Sequence, residues 1–168
     1  IIDGVMASIT RVLRTLANRA IQIAQLEITE DTWIQAVQTQ DVNLSADTPE
    51  VIPYDQVNVD RLGEFSNGEF VPEQSAWYDF QVRAEFAVDS NQDELKLQVY
   101  DVDADETITE NEVRANGTGN RDRELDSTVE LDAGITYSVR AENSDNDDTI
   151  AGKPKRTRLR IKPEYGAP

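Results

Sequence analysis

From Tyr78 to Phe86 the chain alternates residue by residue. Tyr78, Phe80, Val82, Ala84 and Phe86 fall on one face, and Asp79, Gln81, Arg83 and Glu85 on the other. A period of two built from aromatic and β-branched residues predicts a half-buried strand. The same alternation returns at Leu95, Leu97 and Val99, at Ile135, Tyr137, Val139 and Ala141, and at Thr157, Leu159 and Ile161. Pro163 is expected to end the last of these, because proline cannot donate to a ladder. Residues 33–39 form a β-rich run, and residues 128–131 predict a short strand. Turn chemistry lies between them. Asn67-Gly68 supplies the left-handed residues of a tight hairpin, residues 90–93 and Asp132-Ala133-Gly134 read as turns, and residues 45–49 as a loop. About eight short strands with turns between them predict a mainly β protein, an antiparallel double-sheet jelly roll.

The first 28 residues follow a different period. Ile2, Ile9, Leu16 and Ile23 recur every seven residues, with Met6, Leu13 and Ala20 four further on. This is a heptad seam. Val5, Val12 and Leu26 broaden it by one column, which suits three strands, and Gly4 weakens the first turn. The stripe fits either a trimeric coiled-coil stalk or one amphipathic helix packed on its own domain. The expected organisation is a helical trimerisation and anchoring stalk over residues 1–28 and a jelly-roll head over residues 29–168.

Charge sharpens that boundary. The chain has 33 acidic and 16 basic residues, a net −17. Arg11, Arg14 and Arg19 against Asp3 and Glu27 leave residues 1–28 at +1, so the remainder carries −18. The basic residues include only four lysines: Lys96, Lys153, Lys155 and Lys162. A folded, acid-coated, lysine-poor domain is expected of a protein made for brine. At about 1 M salt the screening length is ~3 Å and self-repulsion largely vanishes. The plainer reading is an ordinary acidic surface. Cysteine and histidine are absent, which excludes disulfides, thiolate chemistry and imidazole bases or ligands. The most apolar stretch, residues 1–28, is interrupted by its arginines, so no membrane span is expected. Ile1 at the start is expected of a processed chain or a piece of a longer polypeptide.

Three groups of residues could carry chemistry. Asp101, Asp103, Asp105, Thr107 and Glu112 match a twelve-residue calcium loop, whose spacing gathers hard oxygens around one cation. Glu106 stands where that loop needs glycine, so a solvated acidic hairpin tip is the competing reading; calcium is the one cofactor the sequence suggests. The basic run Lys153, Lys155, Arg156, Arg158, Arg160 and Lys162 could suggest nucleic acid. On a strand, however, its cations share one face and are expected to meet acids on neighbouring strands, such as Glu85 and Glu142, so no nucleic-acid partner is expected. The carboxylates offer no distinctive pair of the kind a glycosidase needs, and no enzyme is expected.

One order of motifs carries further. Ile52-Pro53-Tyr54-Asp55 comes first, then Gly68-Glu69-Phe70-Val71-Pro72, then Trp77-Tyr78 opening the long alternating strand. The Leu131-Asp132-Ala133-Gly134 hairpin comes later. This order resembles the trimeric jelly-roll domains of the complement globular-head and tumour-necrosis-factor superfamily, with virus and phage fibre heads of that fold most similar. Family members usually carry glycine before the aromatic pair; here Ser75-Ala76 precede Trp77. The resemblance implies a homotrimer with the sheet that holds the last strand near the threefold axis. Its interface would combine the stalk residues Ile2, Met6, Ile9, Leu13, Leu16 and Ile23 with a charge-paired ladder of Arg83, Glu85, Arg140, Glu142, Arg158 and Arg160. The expected role is a virion structural protein, a turret, spike or fibre head displayed on the particle surface of a virus of a halophilic host. Its partners would be other virion proteins. The alternative is a receptor- or glycan-binding adhesin head.

Overall fold

The computed structural model describes residues 34–164, apart from 61, 90–92, 145–146 and 154. The heptad segment, with Ile2, Met6, Ile9, Leu13, Leu16 and Ile23, lies outside the described residues. Among the described residues there is no helix, and so none long and apolar enough to cross a membrane.

The strands are β1 (Ile34–Val37), β2 (Val42–Leu44), β3 (Glu50–Val51), β4 (Gln56–Val59), β5 (Phe65–Ser66), β6 (Glu69–Phe70) and β7 (Ala76–Val88). They continue as β8 (Glu94–Asp101), β9 (Glu106–Arg114), β10 (Gly119–Leu131), β11 (Tyr137–Asn143), β12 (Asp148–Ile150) and β13 (Arg158–Glu164). They form two antiparallel sheets. In the first, β10 pairs one edge of β7 along its whole length, from Gly119↔Val88 to Leu131↔Ala76. The other edge of β7 takes β13 and then β12, and the sheet extends through β1 to β4 on one side and to β2 on the other. The second sheet runs β5-β6-β11-β8-β9, with β3 also on β11.

The alternation of β7 places Phe80, Val82, Ala84 and Phe86 in the core, where they are at most 1 % exposed. Leu159 and Ile161 of β13 extend that layer. Leu95, Leu97, Val99, Val139 and Ala141 face it from the second sheet. Phe70 meets the rings of Tyr78 at 5.2 Å and Phe80 at 6.2 Å, both edge-on, so the second sheet is keyed onto the first by an aromatic cluster.

The motif residues meet in space. Asn67 (φ 53°) and Gly68 (φ 82°) form the β5–β6 turn. A Cβ at Gly68 would lie 2.3 Å from the Ile52 carbonyl oxygen. Ile52 N–H donates to the Val139 carbonyl at 3.0 Å. Glycine is therefore required twice at position 68, for its backbone angle and for the close approach of the segment before it.

Three expectations need correction. The strand expected at residues 128–131 is the end of β10, which spans 13 residues. Residues 106–112, expected as half of a metal loop, belong to β9. Pro163 does not end β13; it pairs with Tyr78. β1 covers β13 only from Arg158 to Ile161, so Pro163 lies beyond that coverage, where a missing N–H does less harm.

Candidate interaction face

The first sheet turns a polar face away from the core, and register fixes its rows. Arg158 of β13 lies opposite Arg83 of β7, which lies opposite Glu124 of β10. The next row reads Gln35, Arg160, Gln81 and Asp126. The Arg83 guanidinium reaches Asp122 at 3.0 Å and Glu124 at 3.2 Å. Arg156 also binds Asp122. Arg158 is exposed, forms no ion pair among the described residues, and stands beside the like charge of Arg83. Arg83, Arg158 and Arg160 line an open depression of about 420 Å³ with Gln35, Gln81, Glu124 and Asp126. A head of strong negative charge thus carries three guanidinium groups on one flat surface.

Alternation assigns Glu85 to the solvent side of β7, yet it is 5 % exposed. The segment after β12 folds over it. Lys153 Nζ lies 2.5 Å from Glu85 Oε1, Asn120 Nδ2 donates to the same oxygen at 3.0 Å, and Arg156 Nε lies 3.8 Å from Oε2. Ala151 N–H donates to the Glu85 carbonyl, and Glu85 N–H donates to Thr157 Oγ1. A buried carboxylate is tolerated when cations and donors surround it in this way.

The structure brings Arg83, Glu85, Arg158 and Arg160 onto one sheet face. It does not bring Arg140 and Glu142 there. Both lie on β11 of the second sheet, so the single expected ladder divides in two. Glu142 sits beside Lys96, 3.4 Å away, and Lys96 also reaches Glu112 at 3.4 Å. The Arg140 guanidinium stacks on the Tyr100 ring at 3.6 Å. Sequence alternation identifies which residues share a strand face but not which sheet a strand joins.

Asp122, Glu124 and Asp126 are partners that sequence reasoning does not single out. A signal exists: acids at 122, 124 and 126 alternate with Arg121, Arg123 and Leu125. A strand face made of charge rather than of apolar residues carries the same period.

The expected calcium loop is the β8–β9 hairpin. Asp101 Oδ1 accepts from the backbone N–H of Asp103 at 2.9 Å and of Ala104 at 2.8 Å. Asp103 Oδ2 accepts from Thr136 N–H at 2.7 Å, and Asp105 accepts from the Tyr100 hydroxyl. The left-handed residue is Asp105, with φ 59°, not the next one. Thr107 and Glu112 extend along β9, and about 3.3 Å per residue carries Glu112 some 20 Å from the turn. Glu112 therefore cannot close a loop around a cation held by Asp101, Asp103 and Asp105. Among the described residues no three acidic side chains are grouped to hold a metal.

These two sheets, with a β1-β13-β7-β10 core facing β6-β11-β8-β9, define a tumour-necrosis-factor-like jelly roll. Solved structures share the fold, three of them as follows. An Eiger TNF from S. frugiperda aligns with a TM-score of 0.61 at 12 % identity, over 81 % of this chain and 94 % of that one. Murine APRIL aligns at 0.59 and 12 %, over 79 % and 98 %. The globular domain of a zebrafish complement 1qA protein aligns at 0.50 and 10 %, over 80 % and 98 %. No family model and no curated sequence matches the chain. The likeness at this identity is one of fold.

Proposed function

We propose that the chain is a homotrimeric display head, a non-catalytic structural protein on the surface of a virion whose host lives in brine. The observation that carries this reading is the polar outer face of the first sheet, on a fold shared with tumour-necrosis-factor and complement heads. In the proposed trimer this face, with Arg83, Glu85, Arg158 and Arg160, lies against neighbouring copies. Residues 1–28 form the helical stalk that sets the threefold register through Ile2, Met6, Ile9, Leu13, Leu16 and Ile23. Residues 29–168 form the head, which projects its acidic surface outward and meets other virion proteins below.

The test is mass in solution. Light scattering in molar salt is expected to give three copies per particle, and Arg158→Glu with Arg160→Glu is expected to give monomers. A double variant that stays trimeric would remove the interface. Capsid and portal genes beside this one would support the virion role, and a gene set for secretion would count against it.

The alternative is a receptor- or glycan-binding adhesin head. It is favoured by the exposed tip at residues 102–106 and the largely exposed turn at 116–119, which face solvent at the ends of long strands. A glycan-array signal from the head alone would select it.

A further inference from the structure

At one end of the sandwich a carboxylate is buried among other carboxylates. Asp148, on β12 of the first sheet, is 7 % exposed. Asn143 ends β11 and Asp93 precedes β8, both of the second sheet, and both are fully buried. The Asn143 side-chain amide donates to Asp148 Oδ2 at 2.7 Å and to Asp93 Oδ2 at 3.1 Å. One amide nitrogen thus links two acids across the two sheets. Asp148 Oδ1 is buried and has no hydrogen-bond partner among the described residues. An ionised oxygen that is buried and takes no hydrogen bond from the described residues is costly.

The charged groups acting on Asp148 make this worse. Asp93 faces it from the start of β8 and Asp89 from the end of β7. Asp89 and Asp147 share with Asp148 the lining of an open depression of about 430 Å³, which gives protons a path from solvent. A proton on Asp148 would remove the repulsion and turn the orphan oxygen into part of a neutral acid.

We propose that Asp148 is a proton-operated clasp: neutral in mild acid, it tightens the link between β12 in one sheet and Asp93 and Asn143 in the other, and ionised, it loosens it. The inference does not depend on the trimer or on the virion role. Burial, and then the charges of Asp93 and Asp89, push its pKa up from 3.8 to about 6, outweighing the hydrogen bonds from the Asn143 amide and the Asp89 backbone N–H, which favour the ionised form. A raised folded-state value means stabilisation that is complete below the unfolded value and lost as pH rises through the folded one. The window is therefore about pH 4 to 6, and the full effect on the unfolding equilibrium is on the order of a hundredfold.

The test uses the full chain in molar salt, where surface charges are screened and this buried group is not. Denaturant unfolding of the wild type and of Asp148→Asn, which is neutral and nearly the same shape, is compared from pH 7.5 to 5. The variant is expected to be the more stable at pH 7.5, and its lead over the wild type to shrink roughly tenfold in equilibrium constant by pH 5. Parallel profiles would overturn the clasp. Should the variant fail to fold, a carboxyl-carbon NMR titration of the wild type decides, with a midpoint for Asp148 near 6 expected and an ordinary carboxylate midpoint fatal. Calcium or magnesium chloride that stabilises the wild type but not the variant at pH 7.5 would mean that the site takes a cation in place of a proton, and would also overturn it.

Discussion

Individual residues in this head are constrained by what lies against them. Gly68 is the clearest case, because its left-handed backbone and the Ile52 carbonyl beside it both refuse a side chain. Gly68→Ala is expected to destabilise the head by roughly 2 kcal/mol or more, read as a shift in denaturation midpoint. Glu85 is a second case. Its carboxylate gathers Lys153, Asn120 and Arg156, and Glu85→Ala would leave those donors facing an empty site. The expected cost is roughly 2–4 kcal/mol, with amide exchange faster at Ala151 and Thr157 than elsewhere in the first sheet. Retained protection at those amides would mean that the segment is held without Glu85. Asp101 accepts hydrogen bonds from two amides of its own turn, so Asp101→Ala should cost about 1 kcal/mol, and calcium should leave the melting temperature of wild type and variant alike unchanged.

At the scale of elements, two long strands are hidden in the sequence because they are not apolar. β9 has no buried residue, and β10 buries only Leu125, Val129 and Leu131. The strand β7 is legible because one of its faces is the core. Placing β10 beside it required the pairing itself, since nothing in residues 121–131 names residues 76–86 as their partner. The register makes a prediction that separates folding from assembly. Arg158 lies opposite Arg83, so Arg158→Glu replaces a like-charge pair with an opposite one. The variant head is expected to be no less stable than the wild type, with a change within about 1 kcal/mol, while the proposed trimer weakens. A variant that unfolds instead would show that Arg158 serves the fold and not an interface.

For the whole molecule the governing quantity is net charge. At −17, each copy repels itself in dilute buffer, and three copies together repel more. Ion pairs offset only part of this, since the described cations sit mainly beside acids of their own sheet, as at Arg83–Asp122 and Lys96–Glu142. The melting temperature is expected to rise steadily from low salt to molar sodium chloride as the screening length falls from ~30 Å at 0.01 M to ~3 Å. A melting temperature independent of salt would remove the brine reading while leaving the fold untouched.

Residue order alone determined which segments would be strands with one apolar face, where the tight turns fall, and that the heptad segment differs in period and charge from the remainder of the chain. It did so because side-chain alternation and turn chemistry are local properties, repeated every two residues or confined to four. Tertiary structure alone decided that Arg140 and Glu142 join a different sheet from Arg158 and Arg160, that Glu85 is covered, that Glu112 runs away from the acidic turn, and that Asp93, Asn143 and Asp148 meet. Each of these depends on which strand lies beside which. That is set by burying two faces against each other over long sequence separations, and no local pattern encodes it.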